Sequence, residues 1–129
     1  MGSRGRGYRT VMVEGFEVLV GRSDEENDRL TFEVADPDDF WLHVGGGTPG
    51  SHVVVRNPER LEALPRAVLD RAAALAVWHS KARGARRADV HLCRAADVGK
   101  EKGAPAGEVV LRRWQRVRVY EPAPPDLPR

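Results

Sequence analysis

Strand-like runs that occur in neighbouring pairs constrain the fold of this chain more than any other feature. Residues 8–13 and 16–20 are rich in β-branched and aromatic side chains and are separated only by a Glu-Gly pair, the spacing of a tight hairpin. Residues 40–44 and 52–56 form a second pair, joined by a glycine-rich link. Strands that follow one another directly, instead of alternating with helices, are typical of a mainly antiparallel sheet.

A long helix is predicted from Pro65 to near Gly84, since proline is favoured in the first turn of a helix and glycine just after its last turn. Apolar residues recur at helical spacing in this segment, which predicts that the helix packs on one face of the sheet. The members of this apolar stripe are Leu61, Leu64, Val68, Ala72 and Leu75.

Short helices and further strands complete the predicted fold. Ser23 and Glu26 have the spacing of a capping box ahead of a short helix through residues 30–34, and Asn57 followed by Pro58 predicts another short helix. The last strands are predicted at residues 90–93, 108–111 and 116–120. The predicted fold class is therefore α+β, a mainly antiparallel sheet with one long helix packed on a face and one or two short helices.

The size and composition are those of one ordinary domain. The 129 residues can bury a core without disulfides or metal, and a lone cysteine cannot form an internal disulfide. No segment reads as a secretory signal, and no apolar run approaches the roughly 20 residues of a membrane-spanning helix. We expect a cytoplasmic domain over residues 8–121, with no membrane partner, between a flexible tail at 1–7 and a flexible proline-rich tail at 122–129. The sequence does not indicate an oligomeric state.

The spacing of the candidate residues disfavours catalysis and metal binding. Asp39, His43, Ser51 and His52 lie close together in the sequence, but Ser51 lacks the glycine pattern of a nucleophile elbow. We expect Asp39, Ser51 and His52 to satisfy backbone groups or to bind a ligand. The histidines and Cys93 show neither Cys-x-x-Cys nor His-Glu-x-x-His spacing, so no metal and no cofactor are predicted. The chain is expected not to be an enzyme.

Two tryptophans are candidates for stacking on a nucleobase. Trp41 and His43 share one face of the predicted strand at 40–44, and Phe40 and Leu42 share the other. If Phe40 and Leu42 face the core, Trp41 and His43 project outward and can stack on a base; if both faces of the sheet are covered, Trp41 is a core residue. Trp114, in an arginine-rich turn, either fixes that turn to the domain or stacks on a base.

The cations are nearly all arginines and are concentrated at the ends of predicted elements. The chain has 21 lysine and arginine residues against 19 aspartate and glutamate residues, so its formal net charge of +2 does not by itself indicate a nucleic-acid surface. Cations near the end of the long helix suit its carbonyl groups, whereas Lys100 and Lys102 lie in a loop broken by glycine and proline, where phosphate contact and solvation are equally plausible. The candidate cations are Arg22, Arg56, Lys81, Arg83, Lys100 and Lys102.

Motifs in the same order along most of the chain, from about Tyr8 to about Val119, resemble the NFACT-R domain family in a stand-alone form. The residues that carry the resemblance are Gly21, Arg22, Asn27, Asp28, Trp41, His43, Pro49, Gly50, Ser51, His52 and Arg56, followed by Ser80, Lys81 and Arg83.

The resemblance implies an RNA-binding module in translation or ribosome-associated quality control. Its expected partners are transfer RNA or large-subunit ribosomal RNA, and with them the ribosome. Two alternatives remain open, a small hydrolase or nuclease-like enzyme that uses His43 and His52 as acid and base, and a DNA-binding module. The RNA-binding residues expected from the resemblance and the cations are Arg22, Asn27, Asp28, Trp41, His43, Ser51, His52, Arg56, Lys81, Arg83, Lys100 and Lys102.

Overall fold

The computed structural model describes residues 8–120, so the predicted tails at 1–7 and 122–129 lie outside the described residues. Six strands form one sheet in the order β1-β2-β4-β3-β5-β8, and every neighbouring pair in it is antiparallel. Strands β6 and β7 pair separately. The strands are β1 (Tyr8–Val13), β2 (Phe16–Gly21), β3 (Phe40–Val44), β4 (Val53–Val55), β5 (Arg87–Arg94), β6 (Val98–Gly99), β7 (Val110–Leu111) and β8 (Gln115–Tyr120).

Both strand pairs read from the sequence are confirmed. Strands β1 and β2 form a hairpin around Glu14 and Gly15, whose φ angles of 51° and 86° are left-handed, as the residues of a two-residue hairpin turn require. Strand β3 pairs with β4, and Leu42 lies opposite Val53. Together with the helices, this sheet confirms the α+β class.

Helix α2 (Arg66–Trp78) packs on one face of the sheet. Its buried face includes Val68 and Ala72, which lie in the same cluster as Leu42 and Val90 of the central strands. Alanines on this face allow the helix backbone to approach the sheet closely. Each large aliphatic side chain buried here contributes about 1.5–3 kcal/mol to folding.

Helix α2 ends at Trp78, earlier than the predicted end near Gly84. The chain after the helix pairs with the glycine-rich link between β3 and β4. Gly50 and Ser80 form an isolated β-bridge, and the amide of Lys81 donates to the carbonyl of Pro49 over 2.9 Å. These hydrogen bonds replace those of a further helical turn. The long helix is therefore of modest length, with 13 residues.

The short helix predicted after Pro58 is wrong, because this segment forms turns instead. The side chain of Asn57 makes three hydrogen bonds. It accepts from the amide of Leu61 over 2.9 Å and donates to the carbonyls of Asp38 and Leu61. Arg60 has a φ of 54°, which no right-handed helix accommodates. Asparagine thus stabilises a turn here and does not cap a helix.

The other short helix begins earlier than predicted. Helix α1 (Asp24–Arg29) is capped by Ser23, whose hydroxyl accepts the amide of Glu26 over 3.2 Å, and it continues into a π-helical turn, Leu30–Val34. Glu26 accepts the amide of Arg22 over 2.9 Å, one residue before the cap. The sequence therefore indicates the cap correctly. The helix begins directly after the cap, at Asp24, and the predicted residues 30–34 form its π-helical continuation.

The sheet is covered on both faces. Opposite helix α2, a second buried cluster joins Leu19, Trp41 and Val54 of the sheet to Leu30 and Val98. This cover consists of the π-helical turn and the segment around β6 and β7. No helix within residues 8–120 is long and apolar enough to cross a membrane.

Candidate nucleic-acid interface

Trp41 is a core residue, because only 1% of it is exposed. Its indole N–H donates to the hydroxyl oxygen of Thr31 over 3.0 Å, and that oxygen lies 2.8 Å from Nδ1 of His52. Of the two open interpretations, the covered sheet is the one realised. The expectation that Trp41 stacks on a base is therefore corrected, because its ring is enclosed by the second cluster.

His52 completes this buried chain of hydrogen bonds. Its Nε2 lies 3.3 Å from the carbonyl of Gly107, which can only accept, so Nε2 carries the proton and Nδ1 accepts from the Thr31 hydroxyl. Burial, followed by the nearby His43, lowers the pKa of His52 to about 4. His52 is therefore neutral at pH 7, with both nitrogens engaged inside the protein.

Asn27 and Ser51 hold the segment that leads into β4. The side chain of Asn27 accepts the amide of His52 over 3.0 Å and donates to the carbonyl of Gly50 over 3.3 Å. Ser51 donates its hydroxyl to the carbonyl of Gly21. The structural role expected for Ser51 and His52 is thus observed, and Asn27, which is 3% exposed, has the same role.

Arg56 lies at the far end of β4 and is held by acidic neighbours. Its guanidinium is 3.1 Å from the carboxylates of both Asp36 and Asp39, and it donates to the carbonyl of Val34 over 3.2 Å. Asp39 is buried and also accepts the amide of Asn57 over 2.7 Å. Arg56 thus neutralises a buried carboxylate, and its charge is balanced within the domain.

Lys100 is also engaged internally. Its ammonium lies 2.8 Å from the carboxylate of Asp28 and donates to the carbonyls of Pro105 and Glu108. Asp28 accepts the amide of Gly107 over 3.0 Å with its other oxygen. Neither phosphate contact nor free solvation is therefore the role of Lys100 in this structure, because its pair with Asp28 fixes the loop to helix α1. Lys102, in the same loop, is exposed.

The remaining candidate cations meet on one groove, which we call the cationic groove. It has a volume of about 350 Å³, and Arg22, Lys81 and Arg83 line it together with Ser51 and Trp78. Arg83 donates to the carbonyl of Trp78 over 2.7 Å, and its guanidinium lies 3.9 Å from the centre of the indole ring. Arg22 contacts Glu26 at 3.3 Å, an exposed pair that water screens.

A larger cleft of about 650 Å³, which we call the histidine cleft, lies beside this groove. His43, His52 and His91 line it, with the edge of Trp41 and with Trp114. His43 and His91 are opposite each other in the β3–β5 register. Burial lowers the pKa of both, and the proximity of His91 lowers that of His43 further, so the histidines that reach this cleft are neutral at pH 7.

Trp114 stacks on His91 with ring centroids 4.0 Å apart, while 49% of the tryptophan is exposed. It therefore fixes its turn to the domain and still presents ring surface to solvent. Sequence reasoning missed the pairing of these two residues, since His91 lies on β5 and Trp114 follows β7. Gly45 is required here, because a Cβ at that position would lie 2.5 Å from Nε2 of His91.

The match to known proteins covers most of the described fold. Residues 7–113 match the family model of the NFACT protein RNA binding domain. The chain belongs to this family. The resemblance noted from the sequence is thereby confirmed.

This NFACT RNA binding domain is similar to parts of larger proteins. The Rqc2 homolog RqcH of Bacillus subtilis (strain 168) is 38% identical over 105 residues, which are 81% of this chain and 18% of that protein. The Rqc2 homolog RqcH of Streptococcus suis (strain 05ZYH33) is 35% identical over 102 residues, 79% of this chain and 18% of that protein. The chain thus spans about a fifth of the length of these curated relatives.

A solved structure supports the same fold. The C-terminal part of the fibronectin/fibrinogen-binding protein from Streptococcus suis has a TM-score of 0.80 to this chain at 32% sequence identity. The match covers 91% of this chain and 46% of that one.

Many residues that carry the family resemblance stabilise the domain from within. A Cβ on Gly21 would lie 2.0 Å from Oδ1 of Asn27, and a Cβ on Gly50 would lie 2.6 Å from the Ser80 side chain. Glycine at position 21 lets helix α1 approach the end of β2, and glycine at position 50 lets the turn after α2 approach the β3–β4 link. The exposed members of the pattern in this region are Arg22, Lys81 and Arg83.

The buried groups of this NFACT RNA binding domain are poorly suited to catalysis. His52 is 1% exposed and has both ring nitrogens hydrogen bonded, so it cannot exchange a proton with a substrate in this arrangement. Burial raises the pKa of the Cys93 thiol to about 12, which keeps it protonated. Among the described residues, no group of three His, Cys, Asp or Glu side chains has the geometry to hold a metal ion.

Proposed function

We propose that this chain is an RNA-binding module of ribosome-associated quality control in the cytoplasm, and that its ligand is transfer RNA or large-subunit ribosomal RNA. Its membership of the NFACT RNA binding domain family supports RNA as the ligand, and its relatives named Rqc2 homolog RqcH support the process. The observation that carries the proposal in this chain is the meeting of three cations, Arg22, Lys81 and Arg83, on one groove.

The cationic groove has the chemistry of a phosphate site. Lys81 and Arg83 are exposed, and Arg83 uses its Nε to hold the carbonyl of Trp78, which leaves the other guanidinium nitrogens available to a phosphate. Anchoring on the indole limits the conformations of Arg83, so less freedom is lost when a ligand binds. Phosphate contacts of this kind give affinity and orientation without sequence specificity.

Binding is favoured over catalysis by the state of the histidines. An acid–base pair needs two imidazoles that reach the substrate, whereas His52 is enclosed and fully hydrogen bonded. Only His43 of that pair is partly exposed in the cleft. The hydrolase alternative therefore lacks its second group.

Salt-dependent binding measurements test the proposal. We expect the chain to bind transfer RNA or a large-subunit ribosomal RNA fragment more tightly than duplex DNA of equal length at roughly 50 and 200 mM salt. Lys81→Gln and Arg22→Gln should weaken binding to every RNA and flatten the slope of log affinity against log salt by about 1 for each lost contact.

Arg66→Gln is the matched control, because Arg66 is an exposed arginine at the other end of helix α2, about 18 Å from Trp78 at about 1.5 Å per residue. This variant should bind RNA as the native chain does. Equal losses in all three variants would indicate a diffuse charge effect, and unchanged affinity in Lys81→Gln and Arg22→Gln would remove the groove from the interface.

A further inference from the structure

The histidine cleft differs from the cationic groove in its charge. None of the described residues that line it is a lysine or an arginine, and its charged members are the carboxylates Asp24 and Glu108. Its histidines are neutral, because burial lowers their pKa values. A phosphate would find no cationic partner in such a cleft.

The cleft instead offers surfaces that suit a flat, neutral ring. Trp114 lines the cleft and is held on one side by its stack on His91, while about half of its surface is exposed. An indole fixed in this way is a stacking platform whose orientation is set before the ligand arrives. The neutral imidazole of His43 also lines the cleft and interacts with the backbone of Gly50 and Val44.

The two carboxylates indicate which rings are favoured. Asp24 and Glu108 are both exposed and line the cleft, so their oxygens can accept hydrogen bonds from a ligand. The exocyclic amino groups of guanine, adenine and cytosine donate hydrogen bonds, and carboxylates accept from such groups. Uracil has no amino group to offer.

The cleft and the cationic groove are separated by one thin ridge. Pro49 and Gly50 line both, and so does Asp24. The ridge is thin because Gly50 has no side chain and contacts Ser80 directly. Consecutive parts of one nucleotide, the base and its phosphate, can therefore lie on the two sides of this ridge.

We propose that the histidine cleft binds an unpaired, amino-bearing nucleobase of the RNA, stacked on Trp114, while the adjacent phosphate lies in the cationic groove. This inference rests on the proposed RNA-binding function and adds a base site to it. The domain then binds single-stranded or flipped-out nucleotides in preference to continuous duplex.

Five uridine hexanucleotides test the base site, differing only at one central position, which is guanosine, adenosine, cytidine, uridine or an abasic ribose. We expect the three RNAs with an amino-bearing base to bind about tenfold more tightly than the abasic RNA, and the uridine RNA to lie between them. Equal affinity for the abasic and base-bearing RNAs would overturn the proposal.

Three variants assign the contacts. Trp114→Ala should abolish the difference between base-bearing and abasic RNA, and Trp114→Phe should retain most of it because a ring remains. Glu108→Gln should reduce the ratio between the affinity for the amino-bearing RNAs and the affinity for the uridine RNA. An unchanged difference in Trp114→Ala would overturn the stacking role, and Trp114 is half exposed, so its replacement leaves the core intact.

Lys81→Gln separates this inference from the proposed function. It should weaken binding of all five RNAs by the same factor, including the abasic one, since it removes a phosphate contact. If Lys81→Gln weakens binding while base identity and Trp114 have no effect, the base site is refuted and the RNA-binding function stands. If none of the RNAs, including transfer RNA, binds the native chain, both proposals are refuted.

Discussion

Acidification should destabilise this domain through His52. In the folded state the Thr31 hydroxyl donates to Nδ1 of His52 and receives the indole N–H of Trp41, while Nε2 donates to Gly107. A proton added at Nδ1 would turn this nitrogen into a donor, so the Thr31 hydroxyl would lie between two donors. It would also place a positive charge in a buried site. The unfolded chain has neither restriction.

The magnitude follows from the two pKa values. The pKa of His52 is lowered from 6.5 in the free side chain to about 4 in the folded protein, which corresponds to about 3 kcal/mol at about 1.4 kcal/mol per pKa unit. Because the folded-state pKa is the lower one, the unfolded state binds the proton first as pH falls. This contribution is therefore fully present above pH 6.5 and is lost between pH 6.5 and about 4.

Urea unfolding at several pH values measures this effect. We expect the free energy of unfolding to fall by about 3 kcal/mol between pH 7 and pH 4, a shift of roughly 1–3 M in the urea midpoint. His52→Gln keeps an amide donor toward Gly107 but cannot be protonated, so it should be less stable at pH 7 and lose much less between pH 7 and 4. His43 and His91 contribute in the same direction and account for the slope that remains.

Two results would refute this reasoning. The first is a native free energy of unfolding that is unchanged between pH 7 and pH 4.5. The second is a His52→Gln variant with the same pH dependence as the native chain, which would assign the titration to other groups. NMR titration of the His52 ring protons gives an independent measurement of its pKa.

Two further predictions concern the cations that are engaged internally. Arg56→Met leaves the buried carboxylate of Asp39 without its partner and should reduce the free energy of unfolding by about 3 kcal/mol while leaving RNA affinity unchanged at pH 7; weaker RNA binding at native stability would place Arg56 in the interface instead. Asp28→Ala removes the contacts to Lys100 and to the amide of Gly107, so hydrogen exchange at that amide should accelerate by about 10- to 100-fold, and unchanged exchange would mean that other contacts hold the loop.

The antiparallel strand pairs were predictable because their signals are local. The hairpin after β1 needs only two residues with left-handed backbone, and the β3–β4 pair follows from two apolar runs joined by a short glycine-rich link. The end of helix α2 was not predictable in the same way. It depends on the hydrogen bond from Lys81 to Pro49, which lies more than 30 residues away in the sequence.

The burial of Trp41 shows why the site was harder to predict than the fold. Alternation along β3 places Trp41 on one face of the sheet and Phe40 and Leu42 on the other, whichever face is covered. The cover on the tryptophan face includes Leu30 and Val98, and nothing within β3 itself indicates that these residues lie there. A strand pattern gives the two faces, but only the tertiary fold determines that both are buried.

Whether a candidate cation is available to a phosphate depends on carboxylates from other parts of the chain. Arg56 and Lys100 were reasonable phosphate ligands as isolated residues, yet each is neutralised by a carboxylate, Asp39 in one case and Asp28 in the other. The aspartate paired with Lys100 lies 72 positions earlier in the sequence. Net charge and position along the chain therefore cannot replace knowledge of which cations are unmasked.

This distribution of roles determines how RNA contacts can be identified by mutation. Asn27 and His52 hold the ridge that separates the cationic groove from the histidine cleft, so replacing either one disturbs both surfaces at once. Loss of RNA binding in such variants would reflect loss of the ridge and would not distinguish a ligand contact from a structural one. Lys81 and Trp114 are exposed on either side of it, and only residues of that kind report on RNA contact directly.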